Sequence, residues 1–342
     1  MNHQNQKRKK DHLNITLSEY TSFKDVTTGL EKYHFIHQAL PETDLKDIDL
    51  STEIFGKQVK APIIISPMVG GIQAAKRLNQ NLAEAAQTLG LAMGIGSQRC
   101  LVDDSEVAET YRVRHIAPDI LLFANIGAVQ LNYGFTIKEL LKAVKAIDAD
   151  ALVLHLNPLQ EALQVEGNTD FSGLAKKIKI VCSELPVPVV IKEVGCGISE
   201  ETAAMLVEAG VAAIDVAGAG GTCWSEIERM RIDDETKIKV ASEFASWGIP
   251  TADTLVMTRK VAPDLPIIAS GGIKTGMDAA KAIALGADAV GIGGPLLLAA
   301  DKSSDDVINY LEEVICVLRI VMFCLGTNSI DKLKRSLFLR KI

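Results

Sequence analysis

Eight short apolar runs punctuate the chain: APIIIS (61–66), LAMGIG (91–96), ILLFAN (120–125), ALVLHL (151–156), PVVIKE (188–193), AAIDVA (212–217), PIIASG (266–271) and DAVGIG (288–293). Continuous rather than alternating apolar positions mark strands covered on both faces, as in a parallel sheet. Helical patterns lie between them. AAKRLNQNLAEAAQTLG (74–90) ends in glycine; SEETAAMLVEAG (199–210) and TGMDAAKAIALG (275–286) each run from a capping Ser or Thr to a terminating Gly. Eight strand–helix repeats predict an α/β fold, a TIM (β/α)8 barrel. An open doubly wound sheet is the alternative, because βα units alone do not separate closed from open sheets. Residues 1–60 then form an N-terminal extension, 61–300 the barrel, and 301–342 a C-terminal helical tail of the same domain.

Composition narrows the function classes. The 342 residues are 48% hydrophobic and 23% charged, enough for a large core. A net charge of −7 argues against broad nucleic-acid binding, though not against a local phosphate site. The six cysteines form no C-x-x-C pair and no zinc-like spacing. With a polar N-terminus lacking a signal-peptide core, this predicts reduced thiols in a cytoplasmic protein. VICVLRIVMFCLG (314–326) is too short for a membrane span and contains Arg319, so no membrane association is expected. It predicts a buried or subunit-facing helix, and with it a homo-oligomer.

Barrel active sites sit at the C-terminal ends of the strands. ALVLHLNPLQEALQVEG (151–167) therefore carries His155, Asn157, Gln160 and Glu161 to the mouth. A carboxylate and an amide beside a phosphate grip suit one Mg2+ bridging protein and diphosphate. SGGI (270–273) and GIGGP (291–295) end strands seven and eight and offer that grip, against the alternative of simple tight turns. Lys192 ends an apolar strand and reads as a Schiff-base lysine, a cation beside a flavin, or a lysine that snorkels outward. AGAGGTCWSEIERMR (217–231) supplies backbone donors, Thr222, Glu226 and Glu228, or only a solvated face. Asn125 is placed to read a heterocycle's edge. Ser97, Gln98 and Arg99 follow strand two, where Arg99 is either a diphosphate clamp or a surface ion pair. The run KRKKDHLNI (7–15) reads first as a solvated tail; Arg8, Lys9 and His12 folded over an anionic ligand are the other reading.

Taken in order from residue 8 to about 296, RKKDH, LPETDLKDIDLSTEIFGKQVKAPIIISPMVGG, GIGSQR, NIGA, LHLNPLQEALQVEG, IKEVGCGIS, GAGGTCWSEIERMR, WGIPT, ASGGIKTG and GIGGP resemble the type 2 isopentenyl-diphosphate isomerases, FMN-dependent barrels. SGGI alone is shared by many FMN barrels; HLNPLQE and the RKxDH arm are far more specific. The resemblance implies isomerisation of isopentenyl diphosphate to dimethylallyl diphosphate by proton addition and removal at reduced FMN. It implies Mg2+ on the diphosphate, NADPH as reductant, and a tetramer or octamer. Carried over by position, Arg8, Lys9, Ser97, Gln98, Arg99, His155 and Asn157 contact substrate, Gln160 reaches the reacting end, Glu161 holds Mg2+, and Glu228 assists proton movement. His155 belongs to the same catalytic pocket. FMN is held by the backbone of Pro67, Met68 and Val69, by Ser97, Asn125, Lys192 and Thr222, and at its phosphate by Gly272, Ile273, Lys274, Gly293 and Gly294. One departure stands out: the family commonly has Met-Thr-Gly-Gly where this chain has PMVGG, so Val69 offers no hydroxyl. The rivals are a 2-hydroxy-acid oxidase, disfavoured because no histidine follows His155, an inosine-monophosphate-dehydrogenase-like barrel using Cys223, and a barrel that binds without catalysis.

Overall fold

The structure, a computed structural model, describes residues 3–18, 21–103 and 105–342. All eight apolar runs become strands of one closed barrel. They are β1 Ile63–Ile65, β2 Ala92–Gly94, β3 Leu122–Gly127, β4 Ala151–Leu156, β5 Val189–Glu193, β6 Ala213–Asp215, β7 Ile267–Ala269 and β8 Ala289–Ile292. Neighbours are parallel throughout, and β8 pairs β1 through Gly291↔Ile64 to close the ring. The open-sheet alternative is thereby removed.

Strand parity explains why the runs are continuous. Ile64, Ala92, Phe123, Val153, Val190, Ala213, Ile268 and Ala289 point inward and pack on one another. Their neighbours Ile63, Ile65, Met93, Leu122, Leu152, Ile191, Ile214 and Val290 face the surrounding helices. Both faces are dry, so both parities are apolar, and each fully buried isoleucine contributes about 2 kcal/mol.

The helices begin and end close to their signals. Gln73–Leu89 stops at Gly90, which is left-handed at φ 64°. Ser199 caps Glu200–Glu208 through the Thr202 amide, and Thr275 with Asp278 forms a reciprocal capping box before Gly276–Ala284.

The base of the barrel, at the N-terminal ends of the strands, is closed by the hairpin 52–59, whose Ile54 and Val59 join the inner core. Two matching ion pairs flank it. Arg114 donates to Asp150 Oδ2 at 2.8 Å and Arg259 to Asp288 Oδ2 at 2.6 Å. In turn Asp150 and Asp288 accept the Leu122 and Ile267 amides that open β3 and β7.

One expectation about the tail needs correction. The C-terminal tail is not wholly helical: Leu339–Lys341 is a strand, antiparallel to Tyr33–Phe35 of the extension. Residues 314–324 of the apolar run lie in the helix Ser304–Cys324, which buries Val314, Leu318, Val321 and Met322. That face packs on Gln73–Leu89 and Gly276–Ala284 of its own chain, which is the buried alternative read from the sequence. Among the described residues no helix is long and apolar enough to cross a membrane.

The charged N-terminal run is not a solvated tail either. His3–Ser18 is a helix over the barrel mouth, packed on the helix Trp224–Arg231. Arg8 and Leu13 on it are buried.

Candidate active site

Two residues beyond each inward apolar position, strand parity repeats. This second inward layer is Ser66, Gly94, Asn125, His155, Lys192, Asp215, Ser270 and Gly291. The barrel interior thus changes from hydrocarbon to polar in one step, and a cavity of about 530 Å³ opens above it. Six members of the layer line that cavity; Gly94 lies under Pro67, and Asp215 is covered.

His155 and Asn125 form one unit. His155 Nδ1 lies 2.8 Å from Asn125 Oδ1. Burial, reinforced by the positive charges of Lys192, Lys9 and Arg8, lowers the imidazole pKa to about 4. The ring is neutral, with its proton on Nδ1 facing the amide oxygen and Nε2 left as an acceptor.

Gln160 and Glu161 stand on the short helix Pro158–Leu163 that follows β4. Gln160 is held at both ends: Asn157 Nδ2 donates to its Oε1 at 3.0 Å, and its own Nε2 donates to Glu228 Oε1 at 3.1 Å. Glu228 is fully buried and also receives His12 Nε2 at 2.9 Å and Arg231 Nη1 at 2.5 Å. Burial pushes its carboxyl pKa upward, but these donors outweigh burial and leave it below the usual value. Glu228 is therefore an anion fixed between the N-terminal helix and Gln160.

Glu161 accepts Asn157 Nδ2 on Oε1 and Gln164 Nε2 and the Asn168 amide on Oε2. Asn157 Oδ1 is buried with no hydrogen-bond partner. An unpartnered amide oxygen beside a carboxylate suits a hard cation, for which oxygen donors are the natural ligands. Among the described residues no three His, Cys, Asp or Glu side chains cluster closely enough to hold a metal alone, so further ligands must come from substrate or water.

Arg8, Lys9, Ser97 and Arg99 border the cavity on the β2 side. Lys9 donates to Gly70 O, Ser97 O and the Tyr111 hydroxyl at 2.7–2.9 Å, and burial lowers its pKa to about 8. Gln98 departs from its expected role as a substrate contact. Its amide bonds Ala143 O and the Asn125 backbone, it is fully buried, and it does not reach the cavity. Successive residues in the extended turn alternate direction, and Gln98 is the one that points back into the protein.

On the opposite side lie the glycine loops after β7 and β8. Gly271 and Gly272 have φ of 96° and 75°. A Cβ on Gly272 would lie 2.5 Å from Gly220 O, so only glycine permits that approach. At Gly293 and Gly294 a Cβ would meet nothing nearer than 3.6 Å, so the space before the helix Gly294–Lys302 is open. That helix starts without a side-chain cap, which leaves its amino end suited to a phosphate. Ile273 and Lys274 border the same loop, and Thr222 faces it from the β6 loop. Met68 and Val69 line the wall between β1 and β2, where Val69 O accepts the Gly96 amide. Ser66 Oγ, at the bottom of this wall, has no protein partner. The cradle, the apolar wall and the unpartnered hydroxyl fit a flat phosphorylated heterocycle such as FMN.

Four contributors were passed over in the sequence. Trp224, in edge contact with His12 at 5.2 Å, and Arg231 both sit in the motif that supplied Glu228, and the Glu228–Arg231 spacing of three was readable. Asp215, in AAIDVA, stands out as a lone charge at the inward register of Lys192. Tyr111 gave no sequence signal.

Comparison with known proteins adds independent findings. A family model described as FMN-dependent dehydrogenase matches residues 3–157 and 128–340. The isopentenyl-diphosphate delta-isomerase of Nostoc sp. is 49% identical over 339 residues, covering 99% of this chain and 97% of its own. That of Synechococcus sp. is 51% identical, covering 97% and 96%. Among solved structures, a Pediococcus acidilactici lactate oxidase superposes with a TM-score of 0.71 at 20% identity over 99% of this chain and 92% of its own. A flavocytochrome b2 variant gives 0.69 at 19%, covering 96% and 82%. At such identities the last two speak for the shared barrel alone.

Proposed function

We propose a mechanism for a chain that belongs to the FMN-dependent dehydrogenase family and, within it, to the isopentenyl-diphosphate delta-isomerases. It is an isomerase of isoprenoid synthesis. The finer reading is conversion of isopentenyl to dimethylallyl diphosphate by adding a proton at one carbon and removing one at another. Its main support is Gln160, fixed between Asn157 and Glu228 and facing a cavity with one basic rim and one glycine cradle.

In this reading the cradle of Gly272, Ile273, Lys274, Gly293 and Gly294 holds the FMN phosphate. Pro67, Met68, Val69, Ser97, Asn125, Lys192 and Thr222 border the ring. Bound and reduced, FMN would supply an electron-rich face able to exchange a proton and to stabilise cationic charge. Arg8, Lys9 and Arg99 surround the diphosphate. Neutral His155, its one proton given to Asn125, lines the same pocket as an uncharged ring. Glu161, with Asn157 Oδ1 beside it, would hold Mg2+, which would supply positive charge for the diphosphate. Gln160 would orient the reacting end, and anionic Glu228, by fixing the Gln160 amide, would assist proton movement there. The N-terminal helix excludes water from the carbocation-like state.

The same reading carries NADPH as reductant and a cytoplasmic setting. It also carries a homo-oligomer, tetramer or octamer, which now rests on family likeness alone and is tested by sedimentation over a dilution series. The decisive test of function is proton NMR of isopentenyl diphosphate with protein, FMN, Mg2+ and a reductant in oxygen-free D2O. Deuterated dimethylallyl diphosphate formed only with reduced flavin is the expected result; no conversion by protein that binds FMN would refute the reading. Glu161→Gln should weaken the response to Mg2+ by about tenfold or more; an unchanged Mg2+ titration would remove the metal assignment.

A further inference from the structure

Lys192, Asp215 and Ser270 occupy the same inward layer on three adjacent strands. Parallel register sets Lys192 directly beside Asp215, and Ser270 follows β7 on the far side of β6. The Lys192 ammonium lies 2.8 Å from Glu193 O, 3.4 Å from Ser270 Oγ and 3.6 Å from Asp215 Oδ2. Asp215 Oδ1 accepts the Ser270 hydroxyl at 2.6 Å and the Ala217 amide at 3.3 Å. The hydroxyl thus occupies one carboxylate oxygen and leaves the other to the lysine. Asp215 itself is 4% exposed and, unlike Lys192, does not border the cavity. The neighbouring Glu193 carboxylate is turned away, its Oε2 receiving the amides of residues 194–197. Asp215 is therefore the one carboxylate paired with Lys192 among the described residues.

A buried ammonium ion is costly unless a counter-charge meets it. We propose that Asp215 is a positioning residue for the isomerase: a covered counter-charge, locked by Ser270, that keeps the Lys192 side chain an ammonium ion aimed into the cavity at the flavin. Asp215 touches neither substrate nor cofactor and acts through the lysine. The assignment rests on the reading that Lys192 borders the FMN ring. A cation there stabilises negative charge on the reduced ring, so its loss should make flavin reduction harder.

Two measurements on full-length protein test this. In FMN-loaded protein, Asp215→Asn should shift the flavin midpoint potential to more negative values, Asp215→Glu should recover most of the shift, and Lys192→Met should shift it at least as far as Asp215→Asn. In flavin-free protein at pH 8, acetylation of Lys192 read by peptide mass spectrometry should be roughly tenfold or more faster in Asp215→Asn than in wild type, because only the neutral amine reacts. A wild-type potential in Asp215→Asn alongside a shift in Lys192→Met overturns the role of Asp215 and leaves the flavin-side lysine intact. Faster acetylation with no potential change in either variant overturns the placement of Lys192 at the flavin, and the proposal with it. Should Asp215→Asn fail to fold, Ser270→Ala carries the test: a shift in the same direction supports the lock, and an unchanged potential and acetylation rate overturn it.

Discussion

The two ends of the barrel use their polar groups for opposite purposes. At the base, Arg259 donates to Ala262, Pro263, Leu265 and Gly286 carbonyls as well as to Asp288. Arg114 makes the matching set to Ala117, Pro118, Ile120, Asp148 and Asp150. Each guanidinium is used up by the loop it closes, and each aspartate holds the first amide of a strand. At the mouth, Ser66 Oγ and Asn157 Oδ1 have no partner, and His155 keeps Nε2 as a free acceptor in its neutral form. Filled hydrogen-bonding capacity contributes stability; capacity left over in a cavity is available for ligand and chemistry.

The strongest way to break this contrast is Gln160→Ala. Removing the side chain held between Asn157 and Glu228 should lower kcat by about 10²–10⁴-fold, the range associated with positioned proton-transfer groups. The melting temperature should change little. Full activity in steady-state assays of this variant would remove Gln160 from the reaction.

Acid stability is the next largest effect. Folded His155 binds its proton less tightly than an exposed histidine, with a pKa of about 4 against 6.5. Its share of stability is complete above pH 6.5 and is lost as pH falls toward 4, about 3 kcal/mol in all. Glu193, raised to about 7 by burial, acts in the opposite sense through part of this window. The quantity to measure is therefore the difference in urea midpoint between wild type and His155→Gln from pH 7 to 4. A constant difference would mean that the ring titrates normally.

At the base the ranking reverses. Arg259→Ala and Arg114→Ala should each cost about 2 kcal/mol, since several charged hydrogen bonds to carbonyls are lost at partly exposed sites. The kcat of protein that remains folded should stay within about twofold, because neither residue reaches the cavity. A large fall in kcat at full occupancy of the folded state would break the division between the ends.

How far the sequence revealed each end follows from the range of the signal. The strands were legible because both faces of a parallel barrel demand apolar residues, a requirement written locally in each run. The glycine loops and the Asn157–Gln160–Glu161 group were legible because each is contiguous. The base ion pairs were not, since Arg114 and Asp150 lie 36 residues apart and resemble any loop charges. The N-terminal helix was misleading by composition alone: its charge suggests solvent, and only tertiary contacts with Glu228, Gly70 and Ser97 bury it. Asp215 was legible in principle, by counting two residues on from the inward Ala213.

The smallest effect belongs to adjacent residues that look alike in the sequence. Arg99 borders the cavity, whereas Gln98 bridges Ala143 O and the Asn125 amide beneath it. Gln98→Met keeps the volume and removes both bonds, leaving a buried carbonyl and amide unpaired, which should cost about 1–3 kcal/mol of stability. Its KM should move by no more than about twofold, since Asn125 stays anchored through His155 and through the Gln98 amide to Asn125 O. Arg99→Met, measured alongside, should raise KM with little change in melting temperature, because a charge bordering the cavity is lost while nothing buried is exposed. If instead Gln98→Met raised KM as much as Arg99→Met, the amide beneath the cavity would be acting on substrate, and the direction of a side chain would be a poor guide to its role at this mouth.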